Sequence, residues 1–147
     1  MFSIEICNRQ TALEFDADCL RRAAEAVMRD AGILDATLSI ALVDDPTMHQ
    51  LNRRYLDHDY PTDVLSFVLE RDGGRLEGEV IVSSDTALRA ARQVGWTASA
   101  ELLLYVIHGT LHLVGYDDRD EPSRGAMRGA ERRYLALFDL EPREDPL

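Results

Sequence analysis

The stretch ELLLYVIHGTLHLVGYDD, Glu101–Asp118, joins a dense apolar run to two histidines, two glycines and two aspartates. A helix starting at Thr97 or Ser99 and running through Val114 is too apolar to face water all round, so it has to lie at least partly beside the core. On such a helix His108 and His112, four residues apart, project from the same face. Gly115 supplies the left-handed conformation that ends a helix, and the chain can then turn back on itself. Asp118 follows three residues later, within reach of the two imidazoles. The full spacing is His-x-x-x-His-x-x-Gly-x-x-Asp.

Two imidazoles at this spacing form half of a first-row metal site, and a third ligand from a turn completes it. Metzincin peptidases place their third ligand in this layout, with histidine where this chain has aspartate. Three protein ligands leave a fourth position for water, which is the mark of a catalytic rather than a closed structural site. A chance pair of surface histidines is the alternative, but two imidazoles beside an apolar core without partners are costly. Among the clustered acids Asp117, Asp118 and Asp120, Asp118 fits the ligand spacing and Asp120 suits the cap of a following helix. Zinc peptidases carry a glutamate base directly after the first histidine, whereas this chain has Gly109, which takes no proton. Peptide hydrolysis by that route is disfavoured. Phosphoryl chemistry asks less of a base, because neutralising charge on the phosphate is the main task.

Outward from this segment the pattern alternates strand and helix. Ser3–Cys7, Thr37–Val43, Pro61–Glu70 and Gly78–Ser83 read as strands, with Arg71–Arg75 as a loop or hairpin turn. Asp16–Ala31 carries Leu20, Ala23, Ala24, Val27 and Met28 at helical spacing, capped by Asp16 or Asp18 and stopped by Gly32. A helix from about Asp44 to Tyr55 has Pro46 in its first turn. Asp85 is the expected cap of a helix over Thr86–Val94, and Ser123–Phe138 is the last helix. The expectation is an α+β fold, with a small mixed four-stranded sheet in a single layer packed against about five helices. Residues 1–140 form one domain and 141–147 a flexible tail.

The chain has 147 residues and 46% apolar residues, enough for a core. Its longest apolar run, Leu102–Ile107, is far short of the about 20 residues that span a bilayer. No signal peptide is visible at the start, so a cytoplasmic setting with Cys7 and Cys19 reduced in the core is expected. Net charge is −11, which ordinarily opposes a nucleic-acid partner. All 16 basic residues are arginine, the residue that forks around phosphate, although base composition of a genome also produces such usage.

Further motifs point to a family. HGTLHLVGYDD (His108–Asp118) resembles the HGxLHLxGYDH signature of the YbeY-type endoribonucleases. LNRRYLDHDYPTDVLSF (Leu51–Phe67) is similar to their LNxxYRxxDxPTDVLSF, and GEVIVSSDTA (Gly78–Ala87) to their GDIVI-containing strand and helix start. The resemblance covers roughly residues 1–140. It implies a single-strand-specific, metal-dependent endoribonuclease of ribosomal RNA maturation, acting on the small-subunit 3′ end and in ribosome quality control. It also implies one zinc-type ion, with nickel or manganese as alternatives, at His108, His112 and Asp118, whose bound water attacks the phosphodiester. The implied partners are single-stranded RNA, a ribosomal RNA precursor and the small ribosomal subunit, with no DNA and no membrane.

Two positions depart from the family. Asp118 replaces a histidine, which makes the site more anionic and friendlier to harder ions. Leu56 replaces an arginine held to face the cleft, and leucine cannot hold a phosphate. Arg53 or Arg54, on the same helix, is the expected substitute, Arg53 being three residues away and so on one face with position 56. Of the other candidates, His58 and Asp59 fall in the cleft-lining turn, Asp59 and Asp63 suit loop caps, and His49 suits a helix surface. Trp96 suits a helix junction rather than base stacking, and Ser66 resembles the family's strand serine, which implies a position near the cleft suited to substrate contact. No general base is apparent, although Asp117 or a second water is available. Two other classes are compatible: an RNA- or ribosome-associated module whose metal is mainly structural, and a metallohydrolase of another substrate.

Overall fold

The computed structural model describes residues 1–55 and 63–141. In chain order the elements are β1 (Phe2–Asn8), α1 (Ala17–Asp30), β2 (Asp35–Val43), α2 (Asp45–Tyr55), β3 (Val64–Asp72), β4 (Arg75–Ser83), α3 (Ser84–Val94), α4 (Ala98–Leu113) and α5 (Glu121–Ala136). The four strands form one sheet in the order β1-β2-β4-β3. β1, β2 and β4 run parallel, and β3 pairs antiparallel with β4 as a hairpin. Its turn is shorter than the sequence suggests, because both strands extend to Asp72 and Arg75 and leave Gly73–Gly74 alone to reverse the chain. Gly73 has φ +55°, a conformation that an L-residue with a Cβ resists. The helices and the mixed sheet are the expected α+β architecture.

Strand alternation sorts the residues to two faces of the sheet. Leu38, Ile40 and Leu42 of β2, with Val80 and Val82 of β4, join the main core beneath α1, α3, α4 and α5. Val43, Leu65 and Ile81 point the other way and pack with Met48 and Leu51 of α2. α4 is therefore the central helix, in contact with α1, α3, α5 and the β3–β4 hairpin. Its near-uniform apolarity follows from having neighbours on most sides.

Capping follows the sequence with one correction. The Asp16 side chain accepts from the N–H groups of Asp18 and Cys19, Thr97 caps α4, and Asp120 caps α5. Asp85, however, does not cap α3. Ser83 does, accepting from the Thr86 N–H at 3.1 Å, while the Asp85 carboxylate accepts the Asp45 N–H at the start of α2 (2.8 Å). Both cysteines are free thiols, as expected, but half-buried rather than core residues. Cys7 shares the outward face of β1 with Glu5, and its Sγ lies 3.8 Å from the Glu5 carboxylate. The third strand begins at Val64 among the described residues, and Pro61, where the sequence starts it, lies outside the described residues. The positions of Leu56, His58 and Asp59, and of the tail residues 142–147, lie outside them.

Candidate metal centre

α4 ends as its sequence dictates. The Tyr116 N–H reaches back to the Leu111 carbonyl (3.0 Å) and the Gly115 N–H to that of His112 (3.2 Å), with Gly115 at φ +108°. These two bonds define a Schellman motif and reverse the chain immediately after His112. The reversal brings Asp118 back over the last turn of α4.

Three donor atoms converge there. His108 Nε2 and His112 Nε2 are 3.1 Å apart, and Asp118 Oδ2 lies 3.7 Å from each. Tetrahedral zinc with bonds of about 2.1 Å separates its ligands by about 3.4 Å, so the observed spacings bracket what the ion requires. His108 and His112 are half-buried and Asp118 is exposed, which leaves the fourth side open toward a cleft. Two imidazoles and a carboxylate are borderline donors suited to zinc and acceptable to nickel or manganese.

Behind His108 stands Glu131 of α5, its carboxylate 2.6 Å from Nδ1 and almost fully buried. A carboxylate accepts, so Nδ1 carries the proton of the hydrogen bond and Nε2 is turned toward His112 and Asp118. Burial alone lowers the pKa of the His108 imidazolium. The hydrogen bond and charge of Glu131, with Asp63 and Asp118 beyond, outweigh it and hold the group above the ordinary histidine value. α5 is itself anchored to α1 through Tyr134, whose hydroxyl donates to Asp30 at 2.8 Å. Burial and that carboxylate push the tyrosine up to about 12.

Gly109 has a structural reason to be glycine. A Cβ there would lie 2.7 Å from Val80 Cγ1 and 2.9 Å from Val64 Cγ2, so α4 crosses the β3–β4 hairpin at a distance only glycine permits. The Ser66 hydroxyl donates to the Gly109 carbonyl at 2.8 Å, pinning the helix to β3. Asp63 braces the strand entrance, its carboxylate accepting from the Val64 N–H and its carbonyl from the Ser83 N–H.

Two clefts flank the three converging side chains. One, of about 270 Å³, is lined by Asp63, Tyr105, His108, Asp118, Arg124, Arg128 and Glu131 with apolar neighbours. The other follows β3 from Asp63 to Val68 beside His108, His112 and Asp118. Ser66 lines the second cleft, as the sequence suggested. Arg53 and Arg54 are exposed in the last turn of α2, and neither lines the described walls of either cleft. His49 is half-buried on α2. Trp96 packs at the α3–α4 junction, its indole N–H donating to Glu101 at 2.8 Å.

Glu131, Arg124 and Arg128 escaped the sequence reading. A signal for Glu131 existed: Met127, Ala130, Tyr134 and Leu135 form a buried helical stripe, and Glu131 is the single acid set within it.

Residues 5–139 match the family model described as Endoribonuclease YbeY. The Endoribonuclease YbeY of Rhodopirellula baltica is 43% identical over 124 residues, covering 83% of this chain, which spans 64% of that relative's length. That of Syntrophotalea carbinolica is 39% identical over 143 residues, covering 94% of this chain and 95% of the relative. The solution structure of TM1509 from Thermotoga maritima superposes with a TM-score of 0.63 at 29% identity, covering 90% of this chain and 86% of that one.

Proposed function

This chain belongs to the endoribonuclease YbeY family, and from that premise we propose that it is a hydrolase cleaving single-stranded RNA with one divalent ion held by His108, His112 and Asp118. The observation that carries the metal assignment is the convergence of three donor atoms over an open cleft. Zinc is the favoured ion, and the anionic Asp118 ligand also suits manganese or nickel. When bound, the ion supplies Lewis acidity and a nucleophile at neutral pH.

The chain's own residues set up the rest. Glu131 fixes the His108 ring by holding the Nδ1 proton, which directs the Nε2 lone pair to the ligand position. Gly109 and Ser66 hold α4 against the hairpin so that both imidazoles face the clefts. Arg53 or Arg54, cationic and solvent-facing, is assigned a contact to RNA phosphate outside the described walls. Ribosomal RNA maturation is the family's role, and the substrate assigned to this chain is the ribosomal RNA precursor, trimmed near the small-subunit 3′ end. The small ribosomal subunit is the corresponding partner and the cytoplasm the corresponding place. Two free thiols fit a reducing compartment. No helix among the described residues is long and apolar enough to cross a membrane.

The test is cleavage of a single-stranded precursor RNA by the native protein and His112→Ala, each with and without chelator. Native protein alone should cut, and chelator or the substitution should abolish cutting. Equal cutting by both proteins would assign the activity to a contaminant. Metal analysis should find close to one ion per chain. Substoichiometric zinc, nickel and manganese under every loading condition would overturn the metal assignment.

A further inference from the structure

Arg124 and Arg128 stand one turn apart on α5, and both line the cleft that contains His108 and Asp118. No feature of the metal ligands requires them. Among the described residues the same cleft carries three carboxylates, Asp63, Asp118 and Glu131. Against two guanidiniums these leave it anionic, in a chain whose net charge is already −11. A divalent ion at the three ligands reverses the balance to positive. The arginines then sit beside that ion with their charge no longer outweighed, in one of the two clefts by which a phosphodiester chain can approach it.

Both side chains are mostly solvent-facing, and each makes a contact with the residues around the candidate ion. Arg124 Nη1 donates to the Asp118 carbonyl at 3.4 Å, and Arg128 Nη1 lies 3.9 Å from Glu131 Oε1. A guanidinium has five N–H donors in a planar fork that matches phosphate oxygens. Residues four apart on a helix present neighbouring side chains on one face, so the two forks face the cleft together.

We infer that Arg124 and Arg128 form a phosphate subsite beside the metal ligands, which takes a backbone phosphate of single-stranded RNA adjacent to the one being cleaved. The inference rests on the proposed function and names how that site holds its substrate. It also resolves the conflict between an acidic chain and a polyanionic ligand, since the attraction is local and depends on the bound ion.

The experiment uses the full chain loaded with zinc and a short fluorescent single-stranded oligoribonucleotide. Binding is read by anisotropy before appreciable cleavage, over a salt series, and zinc affinity is measured in parallel. Arg124→Ala/Arg128→Ala should weaken RNA binding at low salt by about tenfold and flatten the slope of log affinity against log salt by about 1.4, roughly 0.7 for each lost contact. Zinc affinity and helical signal should stay as in the native protein. Arg124→Lys/Arg128→Lys should recover most of the slope, because charge sets it. Arg71→Ala/Arg92→Ala, removing two exposed arginines from β3 and α3, should leave the slope unchanged.

A slope unchanged in the α5 alanine variant overturns the subsite, and so does a loss of zinc affinity with no change in slope, which would make the arginines supports for Asp118. Because binding and cleavage are read separately, native protein that binds RNA with the predicted slope but never cuts it upholds the subsite and refutes the proposed reaction. Cleavage with an indifferent slope does the reverse.

Discussion

At position 109 two demands meet in one residue. A peptidase of similar spacing needs glutamate there, and this chain has no room even for a methyl group, with Val80 Cγ1 2.7 Å and Val64 Cγ2 2.9 Å from a built Cβ. Gly109→Ala should cost about 1–3 kcal/mol in denaturant unfolding, the usual penalty of overpacking a well-filled core. An alanine variant as stable as the native protein would show that the helix can move off the hairpin freely. Glu131 acts through another group. Its charge and hydrogen bond orient His108, and replacing it with an amide keeps the shape while removing the charge. Glu131→Gln should weaken zinc affinity about 10–100-fold by competition titration, as outer partners of metal-bound histidines do. Equal affinity would reduce the 2.6 Å contact to a packing detail. Gly109 was half-legible in the sequence, and Glu131 was not read there. The glycine was visible as a missing base, and its packing reason emerged only with the strands beside it.

Among the elements, the join between α2 and α3 is held by two carboxylates, Asp45 and Asp85. Asp45 accepts from the Ser83 hydroxyl (2.6 Å), the Thr86 hydroxyl (3.0 Å) and Arg89 (2.6 Å), while Asp85 takes the Asp45 N–H. Burial acts to raise the Asp45 pKa, but these donors overcome it and hold the group below its usual value. The native pKa is therefore lower than the unfolded value of about 3.9, so the carboxylate stabilises the fold above that pH and ceases to do so as pH falls through the native value. Asp45→Asn should cost about 1–3 kcal/mol at pH 7. The difference from the native protein should shrink below about pH 4 in a stability–pH series. A difference independent of pH would assign the loss to shape rather than charge. The swap of caps between Ser83 and Asp85 belongs to this same network. Sequence ranks serine and aspartate alike as caps, and the choice was made by what α2 offers each of them.

For the whole molecule, α4 and α5 are in contact and both contribute to one core, α4 with Leu103, Leu104, Ile107 and Leu111 and α5 with Met127, Ala130, Tyr134 and Leu135. A bound ion therefore adds to a fold that does not require it. Chelation should leave the helical circular dichroism largely intact at 25 °C, and zinc at a hundredfold excess over its Kd should add about 2.7 kcal/mol, seen as a Tm higher by several degrees. Collapse of the helical signal on chelation would instead support a mainly structural metal. The elements, the apolar stripe of α1, the glycine stop and the spacing of the three ligands were all written locally, because helix periodicity, capping and turn geometry act over a few residues. The strand order β1-β2-β4-β3, the approach of Glu131 to His108 across 23 positions, and the arrival of Arg124 and Arg128 at the cleft were not. Those are long-range pairings, and the energy that selects them comes from burying faces against each other, a quantity no single stretch of chain contains.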